Sequence, residues 1–269
     1  MNVRILSTYF LCFFLLGRLT VAPCQSSSSF VKQSDIPIVD GDLSDWEDIF
    51  VKHKKENWFY GLIYDEQAIY VGMAILDPDI QYQLLMTGLT CWLEIGKDKK
   101  NKKGVRFPTG SPENQRPTDS ESLIWYIEEL AKNKQTVIGE LAGLELINVR
   151  SQKQTLWGDN VRDDGLAVQV GMNAEGDLLY ELRLPRTLFP ELWHSETEKA
   201  TKFSLYWETG SLGRPKDIAG KDVIGITGGT TSNPAIYGGE SVRSIHAKQD
   251  QYRAYASPRQ LKLKNLILP

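Results

Sequence analysis

The chain has 269 residues, of which 41% are hydrophobic and 24% charged, with a formal net charge of −3. That length suits one large domain or two small ones with a sizeable core, and the composition is that of an ordinary globular protein. The charge excludes the broad basic excess of a nucleic-acid-binding protein.

At the N-terminus, Arg4 precedes the apolar run Ile5 to Gly17. The run is too short for a membrane-spanning helix, which needs about 20 residues, but it matches the apolar region of a secretory signal. Val21-Ala22-Pro23-Cys24 resembles a bacterial lipoprotein box with Cys24 as the lipidated residue, although Pro23 and Arg18 depart from that pattern. Residues 1–24 are therefore expected to be a signal peptide of lipoprotein type, and 25–34 a flexible, serine-rich tether. With Cys12 and Cys24 in the signal, Cys91 is alone in the domain and no intrachain disulfide is expected. Within LTCWLEIG, Cys91 reads as a buried small hydrophobe.

A single β-domain is expected over 35–269. Ser34 to Gly41 reads as a short strand closed by Asp-Gly, and VDGDLSDWEDI then crowds five carboxylates around one tryptophan. The D-x-D-x-x-D spacing offers oxygens to calcium. An EF-hand would need glycine and glutamate where the chain has Asp45 and Val51. Two readings of this stretch stay open. One is a less regular calcium site on Asp40, Asp42 and Asp45; the other is a structural turn in which Asp45 caps the succeeding residues and Trp46 folds onto the core. Adjacent solvated acids offer no means of raising one carboxyl pKa for glycoside hydrolysis.

Gly61 to Asp77 reads as a hairpin turning at Asp65-Glu66-Gln67, with Ile69, Val71, Met73 and Ile75 on one face of the return strand. Leu89 to Gly96 is the next strand. Residues 97–119, rich in Lys, Pro, Gly and Asn, lose all periodicity and read as an inserted exposed loop. Its lysines suit an anionic glycan, with a solvated hairpin tip as the simpler account. A helix is expected over 120–132, opened by a Thr118–Glu121 capping box and carrying Leu123, Ile127 and Leu130 at helical spacing.

Strand patterns return at Gly143 to Val149, Leu166 to Met172 and Leu178 to Pro185, the last two joined by a turn at Asn173 to Gly176. In the third, Leu178, Tyr180, Leu182 and Leu184 share a face opposite Glu181 and Arg183. A short helix at 185–192, a strand at Lys202 to Glu208, a glycine-rich surface loop at 226–240 and a closing strand at 261–269 complete the pattern. Together these elements predict a mostly β fold, an antiparallel, jelly-roll-like β-sandwich with one inserted helix. His53, His194 and His246 match no metal-ligand spacing, and neither a G-x-S-x-G elbow nor a P-loop is present. The expectation is a protein that catalyses nothing and requires no cofactor.

Ile36 or Ile38, Asp40, Gly41, Leu43, Asp45 and Trp46, then Asp65, Ile69, Tyr70, Val71 and Asp77, resemble the opening of family 9 carbohydrate-binding modules and their DOMON-like relatives. Leu178 to Phe189 is similar to that family's later strand, which ends in a proline and a short helix. The resemblance spans Ile36 to Trp207 and implies a β-sandwich, sugar binding in many members and calcium in some. It implies a protein that binds polysaccharide or oligosaccharide beside glycan-degrading enzymes; the N-terminal signal adds export, with contact to a membrane only through a lipid anchor.

Sugar-binding members stack a sugar between tryptophans. Trp157, in the polar stretch QTLWGDN, is the first candidate here and Trp125 the second, with Asp159 and Asn160 as partners for hydroxyls. Trp92 and Trp207 lie in apolar strands and are expected in the core. Two other roles fit the resemblance. One is a structural or adhesion envelope lipoprotein that keeps the fold without a sugar site. The other is a haem-binding DOMON-like domain, with Met73, Met86 or Met172 pairing with a histidine.

Overall fold

Among the described residues twelve strands gather into two sheets, the longest of them where the period-two patterning is strongest. The computed structural model describes residues 30–32, 36–46, 49–53, 57–95, 102–149, 154–156, 165–193, 202–213, 250 and 252–268. The strands are β1 (Val31–Lys32), β2 (Val51–Lys52), β3 (Trp58–Tyr64), β4 (Ala68–Ile75), β5 (Leu89–Ile95) and β6 (Lys103–Arg106), then β7 (Leu144–Ile147), β8 (Gln154–Leu156), β9 (Ala167–Met172), β10 (Leu178–Pro185), β11 (Phe203–Thr209) and β12 (Gln260–Leu266). The first sheet runs β1-β3-β4-β10-β9, with β2 also on β3; the second runs β12-β11-β5-β6-β7-β8. β1 joins β3 in parallel, and the remaining pairs are antiparallel.

Alternation decides what each strand buries. Ile69, Val71, Met73 and Ile75 of β4 share one core cluster with Leu178, Tyr180, Leu182 and Leu184 of β10. From the second sheet, Cys91, Leu93, Val105, Leu205, Trp207, Leu261 and Leu263 join the same cluster. The fold is thus a β-sandwich, held by the apolar filling between its sheets at roughly 1.5–3 kcal/mol per large buried side chain. Cys91 belongs to that filling, and burial pushes its thiol pKa up, which keeps it unreactive.

Four elements differ from the sequence expectation. Ile36 to Val39 joins no ladder, and the first strand among the described residues is Val31–Lys32, inside the span read as a tether, with Phe30 packed into the core beside it. Within the tract read as a loop, Lys103–Arg106 pairs with β5 and β7 as β6. A further helix, α1 (Pro78–Thr87), comes after the first hairpin, with Asp77 as N-cap and Pro78 in its first turn. The predicted helix, α2 (Ser120–Gly139), runs seven residues past Lys132, and its capping box is Asp119 with Ser122 rather than Thr118 with Glu121. Residues 252–256 are also helical.

The Asp119 carboxylate accepts from Ser122 N at 2.8 Å while the Ser122 hydroxyl accepts from Asp119 N at 3.2 Å. The bond from Ser122 N, aided by the Ser122 side chain, holds the Asp119 carboxyl below its ordinary value. Asp119→Ala is expected to cost about 1 kcal/mol, read as a lowered urea midpoint. An unchanged midpoint would show that tertiary contacts alone hold α2.

The VDGDLSDW stretch lies on the outer face of the first sheet, away from the main core. Trp46 is fully buried there with Ile63, Ala68 and Tyr70, flanked by Leu43, Ile49 and Phe50. Its indole rests on Gly61 of β3 and Gly72 of β4, which face each other across the strand pair. A Cβ at Gly72 would stand 2.8 Å from the ring, so glycine provides the floor. Glu181 of β10 lies opposite Gly72 and accepts from Trp46 Nε1 at 2.8 Å, Asp40 N at 3.0 Å and Gly41 N at 2.7 Å.

Candidate functional site

β6 ends at Arg106, whose side chain leaves the outer face of the second sheet between Thr90 of β5 and Glu145 of β7. Phe107 and Pro108 continue the ladder irregularly, exchanging bonds with Leu89 at 2.9 and 3.1 Å. The chain then folds against the end of α1, where Ser111 N donates to Met86 O. Gly110 has a φ of 75°, and a Cβ there would lie 2.4 Å from the Thr87 carbonyl carbon, so only glycine allows the approach. From this loop the chain enters α2, crosses Glu140 to Ala142 and returns into β7 beside Arg106.

That path encloses a cleft of about 680 Å³. Arg106 and Glu145 lie along the sheet side, Ser111 to Arg116 form the loop wall, and Tyr126, Leu130 and Val137 of α2 form the opposite wall. Arg106 Nη2 donates to Thr87 O at 2.7 Å, and Nη1 reaches Glu145 Oε2 at 3.4 Å. Glu145 is almost fully buried, so this partnership offsets the cost of desolvating its charge. Burial lowers the pKa of Arg106, and lowers that of Arg116 together with the nearby Arg106 charge. Both stay protonated at neutral pH. Arg116 Nε donates to Ser111 O at 2.8 Å, and the Ser111 and Tyr126 hydroxyls share a bond of 2.7 Å.

Two guanidinium groups and three carboxylates (Glu113, Glu140 and Glu145) line a space that also offers Tyr126, Leu130 and Val137. Planar charged groups pair with vicinal hydroxyls, and the apolar wall suits the CH face of a pyranose. Among the described residues no histidine or cysteine lines the cleft, so the Ser111 hydroxyl has no histidine there to act as its base.

The predicted ligand-binding residues fall differently. Trp157, Asp159 and Asn160 lie outside the described residues, as do Cys24, His194 and His246. Trp125 is 63% exposed on α2, while its neighbour Tyr126 lines the cleft. Leu123, Ile127 and Leu130 set the inward face of α2, and residue 126 belongs to that face while 125 does not; the helical period carries this signal. Arg106 and Glu145 have no such signal, because strand pairing alone brings them together. Trp207 is in the core as expected, but Trp92 is half-buried on the outer face of the second sheet, its indole donating to Glu208 at 3.0 Å. Met73 and Met86, candidates for haem ligation, are fully buried in the main core.

The three aspartates of the calcium reading do not converge. Asp40 accepts from Asp42 N at 2.9 Å, Asp42 from Ser44 N at 3.0 Å and Asp45 from Ile38 N at 2.7 Å. Among the described residues no group of three His, Cys, Asp or Glu side chains is placed to hold a metal ion. Asp42, not Asp45, bonds the backbone at the start of the 3-10 turn Ser44–Trp46.

No family model matches the chain, and a search of curated proteins finds no match. Among solved structures, a family 9 carbohydrate-binding module from Caldicellulosiruptor kristjanssonii in complex with glucose is 12% identical, with a TM-score of 0.31. The match covers 70% of this chain and 81% of the module. The complex with cellotriose is 13% identical over 71% of this chain and 78% of the module, with the same TM-score. A candidate carbohydrate-binding protein from Bacteroides uniformis is 8% identical over 67% of this chain and 84% of its own, with a TM-score of 0.32. Two of these matches are to the family that the sequence resembles.

Proposed function

We propose that the protein is a non-catalytic carbohydrate-binding protein and that the cleft between α2 and the 107–116 loop receives the sugar. The observation that carries this reading is the Arg106–Glu145 pair set opposite Tyr126, Leu130 and Val137. It presents fixed donors and acceptors to a polar rim and an apolar wall to a CH face. In the same reading the chain is exported through residues 1–24, tethered through Cys24 and the serine-rich residues that precede Phe30, and works beside glycan-degrading enzymes in a cell envelope.

The test is titration calorimetry on glycans first selected by array binding, with wild type and Arg106→Lys. Lysine keeps the charge beside Glu145 but loses the planar fork. Losing one charge-assisted bond of about 2 kcal/mol weakens binding roughly thirtyfold, with the melting temperature little changed. Retention of no glycan by the wild type, or equal affinity in Arg106→Lys, would sink the assignment. Release of chromophore from an aryl glycoside by pure protein would end the non-catalytic claim.

A further inference from the structure

The outer face of the second sheet does not end at the cleft. Arg106 and Thr90 are paired neighbours, and two residues further along β5 the same face carries Trp92, paired with Gly104 of β6 and Tyr206 of β11. Two residues along a strand is a step of about 7 Å, so the aromatic pair adjoins the cleft directly.

The Trp92 indole lies against the β6 backbone: a Cβ at Gly104 would stand 2.8 Å from its ring. Its ring stacks beside Tyr206 at 6.2 Å between centroids. The Lys102 ammonium sits 3.9 Å above the Trp92 centroid and donates to the Tyr206 hydroxyl at 3.1 Å. Lys262 caps Tyr206 at 4.5 Å and is paired with Glu94 at 2.9 Å. Lys102 has no carboxylate partner among the described residues. Its ammonium thus rests on a flat indole, next to the proposed sugar cleft.

We propose that a glycan whose end occupies the cleft continues across Thr90 onto Trp92, where Lys102 pairs with an anionic substituent of the chain, a carboxylate or a sulfate. This subsite rests on the cleft reading. A charge-assisted bond to an oxyanion is stronger than the ring contact that now holds Lys102. As the ammonium turns to the anion, it uncovers the indole for the apolar face of the same sugar unit. The cleft selects the terminal unit, and the strand face selects length and charge.

The test is titration of uronate-containing, sulfated and neutral oligosaccharides, each at one, three and six residues, against wild type, Lys102→Gln, Trp92→Phe and Arg106→Lys. An acidic hexamer is expected to bind at least tenfold more tightly than its monomer and to change tryptophan fluorescence in the wild type but not in Trp92→Phe. Lys102→Gln removes that gain while monomer affinity stays unchanged, whereas Arg106→Lys weakens monomer and hexamer alike. Monomer binding with no dependence on length or charge, or a gain that survives Lys102→Gln, overturns the extended subsite and leaves the cleft standing. Binding of no glycan at any length overturns both.

Discussion

Glu181→Gln is expected to lower the unfolding free energy by about 2 kcal/mol, since leaving buried donors without their acceptor costs about 1–3 kcal/mol. Glu181 is fully buried and accepts three N–H groups: the indole of Trp46 on one oxygen, and the amides of Asp40 and Gly41 on the other. Glutamine has one acceptor oxygen, so its own NH₂ must face either the indole or the two amides. One side of the lock is then left with opposed donors. Urea unfolding at pH 7 measures the loss. A difference below about 0.5 kcal/mol, the scale of an ordinary surface substitution, would show that this contact does not hold the turn to the sheet.

The same residue carries a pH signature of defined sign. Burial raises the Glu181 pKa, while the bonds from Trp46, Gly41 and Asp40 act against that rise. Between the unfolded value of about 4.3 and the raised folded value, the native state holds a proton that the unfolded chain has lost. Stability from this group therefore falls as pH rises through that window, and is fully regained below the unfolded value. Other carboxyls, such as Asp119, run in the opposite sense. The difference between wild type and Glu181→Gln isolates the Glu181 share. A difference that stays flat between pH 7 and pH 4 would contradict the raised pKa.

Gly171→Ala is the second large effect, expected at about 3 kcal/mol or more, from overpacking and the hydrogen bond it displaces. Gly171 lies in β9, and the Asp-Gly turn is laid directly on it: a Cβ there would stand 2.0 Å from the Gly41 carbonyl oxygen. Both groups are backbone, so no flexible side chain can move aside. Gly41 is also fixed in the left-handed region, at a φ of 90°. The turn must lift, and Gly41 N then leaves Glu181. Gly139→Ala is the control, since nothing lies within 4 Å of a Cβ at the end of α2. It is expected to be neutral or stabilising by a few tenths of a kcal/mol. Comparable thermal stability of the two variants would refute the close-approach argument.

Both large effects bear on VDGDLSDW, the stretch that looks richest in chemistry as sequence. Its carboxylates bond nearby backbone amides, while its tryptophan and its Asp-Gly turn converge on a glutamate about 140 residues away. The sequence shows Glu181 on the polar side of β10, opposite Leu178, Tyr180, Leu182 and Leu184. Alternation cannot show that this polar face is covered by the opening turn, because the cover comes from the far end of the chain.

The sandwich itself, the turn at Asp65 to Gln67, the inward row of β4 and the burial of Cys91 are properties of local pattern, and the sequence determined them. A period of two needs only neighbours along one strand. The tertiary structure alone decided which outward residues stand side by side. Trp92 shares its parity with Thr90 and Glu94, so alternation sets it on the outer face, but only the pairing of β5 with β11 puts Tyr206 beside it. Arg106, in a tract without periodicity, is drawn into a ladder by β5 and β7. The cleft exists because α2, packed on α1 and β9, lines the same space as Arg106 and Glu145, a meeting of segments that no window of sequence contains.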